Sequence, residues 1–188
     1  SAQFASLSSS QLTAIETRDI TSITTSALKG LTAAKITALS TAQLEALSAA
    51  QVGTLSTAQI DGLTTYQISS LSLGAISSLT TSQIAALNTA QISKLTTGQI
   101  HALSAAQVAA IETDDLVLLD SKQIRAISNT AVAGLTTEQI AGMGTEQAAA
   151  LTSSQIKALS TAQIASLTSE QLDAMGTAQI ASMTSAQV

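Results

Sequence analysis

With 188 residues, a formal net charge of −5 and only seven lysine or arginine residues, the chain lacks the clustered positive charge that nucleic-acid binding requires. It contains no cysteine, which excludes disulfides and thiolate metal sites. Apolar residues make up 45% of the chain, enough for an aliphatic core. No apolar run approaches the roughly 20 residues that cross a bilayer, so we expect no membrane insertion.

An eight-residue unit repeats along the whole chain without insertion or deletion, and it is clearest at residues 159–166, LSTAQIAS. We number each octad from its small polar residue, so that position 1 is Ser160 and position 4 is Gln163. Ser or Thr followed three residues later by Gln is the capping box of a helix N-terminus, in which each side chain bonds the other residue's main-chain N–H. Residues that represent positions 1 and 4 are Ser40, Thr96, Ser160, Gln43, Gln51, Gln59, Gln91, Gln99 and Gln163.

The apolar residues complete the octad. Position 8, directly before the next cap, is Leu, Ile or Met, and position 5 is nearly always Ile, Leu or Val. These two positions form the hydrophobic staple of a capped helix. A continuous α-helix would rotate this apolar stripe by roughly 80° per octad, and a continuous strand would send the two positions to opposite faces. The sequence therefore predicts an all-α fold, a solenoid or superhelix of very short helices, one per eight-residue repeat, stabilised by packing between neighbouring repeats.

Two further octad positions carry predictions. Position 7 is small almost throughout, for example Ala38, Gly62 and Ser70, which indicates a close approach between backbones. Position 4 is Gln and not Glu, although Glu would serve a capping box equally well. We interpret this restriction as burial of the amide, or as stacking of the amide on its equivalent in the next coil, where a column of carboxylates would repel and be costly to desolvate.

In chain order, residues 1–16 keep the octad phase, residues 17–38 are degenerate, residues 39–111 are regular, residues 112–134 are degenerate and residues 135–188 are regular again. No change of composition marks a linker, so we predict one domain over residues 1–188. The first residue is not Met and the last octad is incomplete, which we interpret as a fragment of a longer array.

The stretch 112–134 departs furthest from the repeat and contains the candidate sites. Asp114, Asp115 and Asp120 could supply carboxylate oxygens to Ca²⁺, although the spacing lacks the pattern of a calcium loop. The alternative, which we favour, is that these acids lie in helical first turns, where the macrodipole favours negative charge. A third interpretation is a docking patch for a partner over residues 112–125.

Catalytic residues are not indicated. His101 is the only histidine, at the most variable octad position, which we interpret as a solvated face. No second His and no Cys could build a catalytic or metal cluster with it, and the many serines and threonines are explained by capping. We therefore predict that the chain is not an enzyme and binds no cofactor.

The octads L-[ST]-T-x-Q-[IVL]-x-[ASG] resemble octapeptide-repeat regions of very long bacterial secreted or surface-associated proteins. This resemblance implies an elongated spacer, stalk or scaffold, or an adhesion-associated region, and a secreted or cell-surface location. It transfers no binding residues. The alternative is a solenoid binding module whose protein, peptide or glycan partner docks around Tyr66 and His101, or on residues 112–125.

Overall fold

The computed structural model describes residues 2–188, with side chains from residue 4 onward, and within that range all regular structure is α-helical. The chain forms two compact units, of which the first ends at Leu95 and the second begins at Thr96. The prediction of an all-α solenoid with one short helix per octad is confirmed in each unit. The prediction of a single domain over residues 1–188 stays a prediction.

The helices of the first unit are four to six residues long. They are α1 (Ala2–Ala5), α2 (Ser9–Thr13), α3 (Thr17–Ile20), α4 (Thr25–Lys29), α5 (Ala33–Thr37), α6 (Thr41–Glu45), α7 (Ala49–Val52), α8 (Thr57–Asp61), α9 (Thr65–Ser70), α10 (Leu73–Ser77), α11 (Thr81–Ala85) and α12 (Thr89–Ser93).

The helices of the second unit have the same lengths. They are α13 (Thr97–Ala102), α14 (Ala105–Ala109), α15 (Thr113–Leu116), α16 (Ser121–Ala126), α17 (Asn129–Val132), α18 (Thr137–Gly142), α19 (Thr145–Ala150), α20 (Ser153–Ala158), α21 (Thr161–Ala165), α22 (Ser169–Ala174) and α23 (Thr177–Ile180).

The corner between two helices is made by positions 8 and 1 of the octad in extended conformation. Leu71 and Ser72 show it, with φ/ψ of −59°/137° and −61°/156°. No described residue has a positive φ, so no corner requires glycine for its backbone conformation. The corner therefore tolerates any residue whose side chain can cap a helix or fill the core.

Three octads make one coil, because each helix packs against the helix three places further along the chain. In the first unit α6 contacts α9 and α7 contacts α10, and in the second α16 contacts α19 and α19 contacts α22. A coil therefore contains three octads of eight residues, 24 in all. The sequence left this number open, because the octad specifies the helix and the corner but not how many corners close a coil.

The core of each unit consists of the aliphatic residues at octad positions 5 and 8. Ile60 and Leu63 in the first unit, and Ile156 and Leu159 in the second, are almost completely buried. Burial of such side chains contributes about 1.5–3 kcal/mol each, which short helices need because they are unstable in isolation. The coils therefore exist only as a stack.

The small residues at position 7 lie where the coils approach one another, as the sequence predicts. A Cβ atom on Gly134 would lie 2.4 Å from the carbonyl oxygen of Ala105, which belongs to the coil 29 residues earlier. Ser78, which also lies at position 7, bonds the equivalent neighbour: its Oγ donates to the carbonyl oxygen of Ala49 over 2.8 Å. Position 7 is therefore a packing position.

Candidate functional site: the inter-coil glutamines and the 117–147 groove

Each glutamine at position 4 first closes the cap of its own helix. The Ser40 hydroxyl accepts from the Gln43 main-chain N–H over 3.2 Å, and the Gln43 Oε1 accepts from the Ser40 N–H over 2.9 Å. The same reciprocal pair is formed by Thr96 with Gln99 and by Ser160 with Gln163. The capping box predicted from the sequence is therefore present at these positions.

The other end of the amide binds the preceding coil. Gln43 Nε2 donates to the carbonyl oxygens of Leu12 at 3.0 Å and Ile15 at 2.8 Å. These acceptors, 31 and 28 residues earlier, are the position-5 and position-8 carbonyls of a corner one coil away. In some coils the Nε2 atom also bonds, or bonds instead of the carbonyl oxygen 31 residues earlier, the carbonyl oxygen 30 residues earlier. The same bonds to the preceding coil are formed by Gln51, Gln59, Gln67, Gln83, Gln91, Gln139, Gln147, Gln155, Gln163, Gln171, Gln179 and Gln187.

This geometry explains why the residue is glutamine. The oxygen is committed to a donor and the NH₂ group to acceptors, so the side chain must both accept and donate. The amides are buried, for example Gln91 and Gln155 at 1% exposure, which confirms the predicted burial. In the bonds described, however, the partner of the amide is the main chain of the preceding coil and not an equivalent amide, so stacking of amides is not what restricts the position.

Three octads with another residue at this position, and one exposed glutamine, show what the buried glutamine supplies. Lys35 keeps a donor there and bonds the carbonyl oxygen of Ala5. Ala75 and Ala131 are buried and supply no side-chain donor, while Ser72 and Ser128 still cap their helices. The exposed Gln11 makes the capping contact alone. The cap and the inter-coil bond are therefore separable functions of one side chain.

A second inter-coil contact was missed by the sequence analysis, which interpreted position 6 as a solvated face. Thr37 Oγ1 donates to the Gly62 carbonyl oxygen at 2.9 Å, His101 Nδ1 lies 3.1 Å from the Ala126 oxygen, and Arg125 Nε donates to the Ala150 oxygen at 3.3 Å. Each spans 25 residues, from position 6 to position 7 of the next coil. The available signal was the recurrence of Thr, Lys, His and Arg, whose side chains can donate hydrogen bonds, at this position.

The calcium candidates are placed in three different surroundings. Asp120 caps α16 and accepts from the N–H groups of Lys122 and Gln123, both at 2.8 Å. Asp115 is buried at position 4, and Asp114 is exposed. Among the described residues, no three His, Cys, Asp or Glu side chains lie close enough together to share a metal ion. The structure does not bring the three carboxylates into one cluster.

Surface charge makes a small contribution to the fold. The ion pair of Arg18 with Glu16, at 2.8 Å, lies between exposed side chains, and such pairs contribute little to stability. Hydrogen bonds from its own main-chain N–H and from the Thr168 hydroxyl lower the pKa of Glu170 below its ordinary value. This carboxylate occupies the first turn of α22, where the helix dipole also favours it.

The second unit contains an open groove of about 670 Å³, which we call the 117–147 groove. It is lined by Val117, Asp120, Gly142, Gly144 and Glu146, among other residues. The groove lies between the corner that joins α15 to α16 and the corner that joins α18 to α19, where both Gly142 and Gly144 lack a side chain. The degenerate 112–134 stretch contributes one side of this groove, and residues 142–147 contribute the other.

Short helices of one octad each, arranged three to a coil and joined by buried glutamines, define the chain as an α-solenoid repeat protein. The chain belongs to the ALTTAQ repeat family, whose repeat matches residues 12–49, 36–73, 108–145, 133–161 and 149–185, well over half of the chain. No curated protein matches it. Among the helices between residues 2 and 188, none is both long enough and apolar enough to cross a membrane.

Proposed function

We propose that the chain is an elongated structural spacer or scaffold in a larger bacterial exported or surface protein. The observation that carries the proposal is the glutamine amide, which bonds its own cap and the carbonyls of the preceding coil in octad after octad. Each coil is thereby joined to its neighbour by the same contacts, so that coils can be added without a new kind of interface. A region built in this way is suited to act as a spacer whose length is set by its number of coils.

The exported or surface location rests on the resemblance of the octads to repeat regions of long bacterial secreted proteins. A catalytic role is not part of the proposal. The single histidine lies at position 6 with its ring against the Ala126 carbonyl oxygen, and the sequence offers no cysteine or second histidine to act with it. The abundant hydroxyls at position 1 are occupied as helix caps.

The experiment is to insert one or two extra copies of residues 40–63, which is one coil, and to measure small-angle X-ray scattering. If the chain is a spacer, each inserted coil lengthens the particle by about 10 Å, the packing distance of two helices, at constant cross-section. The helical signal in far-UV circular dichroism should increase in proportion to the number of inserted coils. A particle that thickens instead of lengthening would contradict the proposal.

A matched control inserts the same 24 residues in scrambled order. This insert keeps length and composition but destroys the capping boxes and the spacing of glutamine to carbonyl. We expect it to add no helical signal and to broaden the scattering profile as a disordered loop does.

Antibody labelling of unbroken source cells tests the location separately. Labelling without lysis is expected for a surface protein. Labelling only after lysis would contradict the surface location and would leave the spacer proposal to the scattering experiment.

A further inference from the structure

The 117–147 groove is lined by Val117, an apolar side chain that the repeat does not require, and Leu118 follows it in the sequence. Val117 and Leu118 are 38% and 49% exposed, at positions 6 and 7, where other octads have small or polar residues. They are the only adjacent pair of large exposed apolar residues within residues 4–188. Aliphatic surface exposed to water is unfavourable, and its burial against another apolar group is favourable.

The coil that follows does not cover Val117. One coil further along, the residues at the facing corner are Gly142 and Gly144, which have no side chains to fill the space. The groove of about 670 Å³ therefore stays open beside Val117. Leu118 is larger than the Ala, Ser or Gly usual at position 7, yet about half of it remains in water, so it does not serve to fill the core.

The stretch of sequence that contains the groove residues carries most of the net negative charge of the chain. Residues 112–147 contain six acidic and two basic side chains, a net charge of −4, while the rest of the chain contains six acidic and five basic side chains, a net charge of −1. Of these acids, Asp120 and Glu146 line the groove, and both are exposed. Each cation nearby is on α16, and Arg125 is engaged with the Ala150 carbonyl oxygen. The exposed carboxylates therefore favour a positively charged partner.

We propose that the 117–147 groove is a docking site for a peptide segment in which aliphatic side chains alternate with lysine or arginine. The aliphatic side chains would cover Val117 and Leu118 and enter the space above Gly142 and Gly144. The basic side chains would pair with Glu146 and Asp120, the carboxylates that line the groove. This inference goes beyond the proposed spacer function, which requires no partner.

The probe is a fluorescein-labelled hexapeptide, Leu-Lys-Leu-Lys-Leu-Lys, titrated with the 188-residue chain and followed by fluorescence anisotropy. Two control peptides replace all leucines by serine or all lysines by glutamate. We expect saturable binding of the probe, with an affinity that decreases as the salt concentration is raised. Neither control peptide should bind, because the site requires both aliphatic and basic side chains.

Variants locate the site. The double substitution Val117→Ser with Leu118→Ala should weaken binding by about tenfold or more. Gly144→Thr places a side chain in the groove and should also weaken binding. It restores a usual cap residue, and a Cβ there meets nothing closer than the Gln147 Oε1 at 4.0 Å, so this variant keeps the fold. Tyr66→Ser removes a large residue of the first unit that is even more exposed, at 79%, and should leave binding unchanged.

Three results would overturn the proposal. One is the absence of binding up to about 1 mM chain, which is weaker than a specific peptide site. Another is binding that persists in Gly144→Thr and in the double variant. The third is a concentration-dependent dimer in sedimentation that the double variant abolishes, which would make this surface an interface between two copies of the chain.

Discussion

The Nε2 atom of Gln155 lies 2.8 Å from the carbonyl oxygen of Ile127, a residue 28 positions earlier and one coil away. The same nitrogen lies 2.8 Å from the carbonyl oxygen of Ile124, while the Oε1 accepts from the N–H of Thr152. One buried side chain thus satisfies main-chain groups of two successive coils. Buried main-chain groups left without partners cost about 1–3 kcal/mol each. The identity of the residue at position 4 therefore has a direct effect on the stability of the stack of coils.

The first prediction concerns Gln91→Glu. In the folded chain Gln91 Nε2 donates to the carbonyl oxygens of Ile60, Asp61 and Leu63. A carboxylate oxygen in its place would face these acceptors without a proton, so we expect urea unfolding to show a loss of about 2–3 kcal/mol at pH 7. Gln11→Glu is the matched control, because Gln11 is exposed and only caps. An equal loss in both variants would show that the effect lies in the cap.

The pH dependence of this variant follows from the same contacts. Burial among carbonyl oxygens disfavours the charged form, so the folded-state pKa of the new Glu at position 91 should lie above its unfolded value of about 4.3. The loss relative to the parent chain is then complete above the folded pKa and shrinks as the pH falls through it. Unfolding at a series of pH values measures this, and a loss that is constant from neutral to mildly acidic pH would contradict the argument.

The second prediction compares two glycines. Gly134→Ala should destabilise the second unit by about 1–3 kcal/mol, because the new Cβ would lie 2.4 Å from the Ala105 carbonyl oxygen and 2.7 Å from its carbonyl carbon. Gly74→Ala lies inside α10 with nothing within 4 Å of the new Cβ, and it should stabilise the first unit by about 0.5–1 kcal/mol. Thermal melting of both variants checks the signs. Two stabilised variants would mean that the coils can separate at Gly134 at little cost.

The third prediction concerns register. Deleting residues 56–63, one whole octad, leaves every later glutamine 31 and 28 residues after a position-5 and a position-8 carbonyl. Deleting only residues 56–59 places Gln67 and Gln83, whose acceptors precede the deletion, opposite position-1 and position-4 residues instead. We expect the eight-residue deletion to remain folded by circular dichroism and the four-residue deletion to lose cooperative unfolding. Comparable melting of the two would refute the glutamine register.

The fourth prediction concerns Asp120. Its carboxylate accepts two N–H groups at the start of α16, so Asp120→Ala should cost about 1 kcal/mol, whereas Asp120→Asn keeps the acceptor and should cost less. If the carboxylate acts only as a cap, millimolar Ca²⁺ should not shift the melting temperature of the parent chain. A calcium-dependent shift that Asp120→Asn abolishes would instead support the metal site.

The sequence by itself determined the local structure. Ser40 and Gln43 specify where a helix begins, the staple residues at positions 8 and 5 specify its buried side, and the eight-residue period excludes long helices and strands. These features act within a single octad, so they can be read without knowledge of the rest of the fold. They do not predict which octad lies above which, because every corner is chemically alike.

Only the tertiary structure decided that three octads close a coil, and with it the partners 31, 28, 29 and 25 residues away. The bond from Gln43 to Ile15, the contact of Gly134 with Ala105 and the bond from Arg125 to Ala150 all depend on that closure. The number of corners in a coil is set by how short helices pack across the aliphatic core, a property of the assembled stack. The same is true of the 117–147 groove, which exists because Val117 and the glycines at 142 and 144 meet one coil apart.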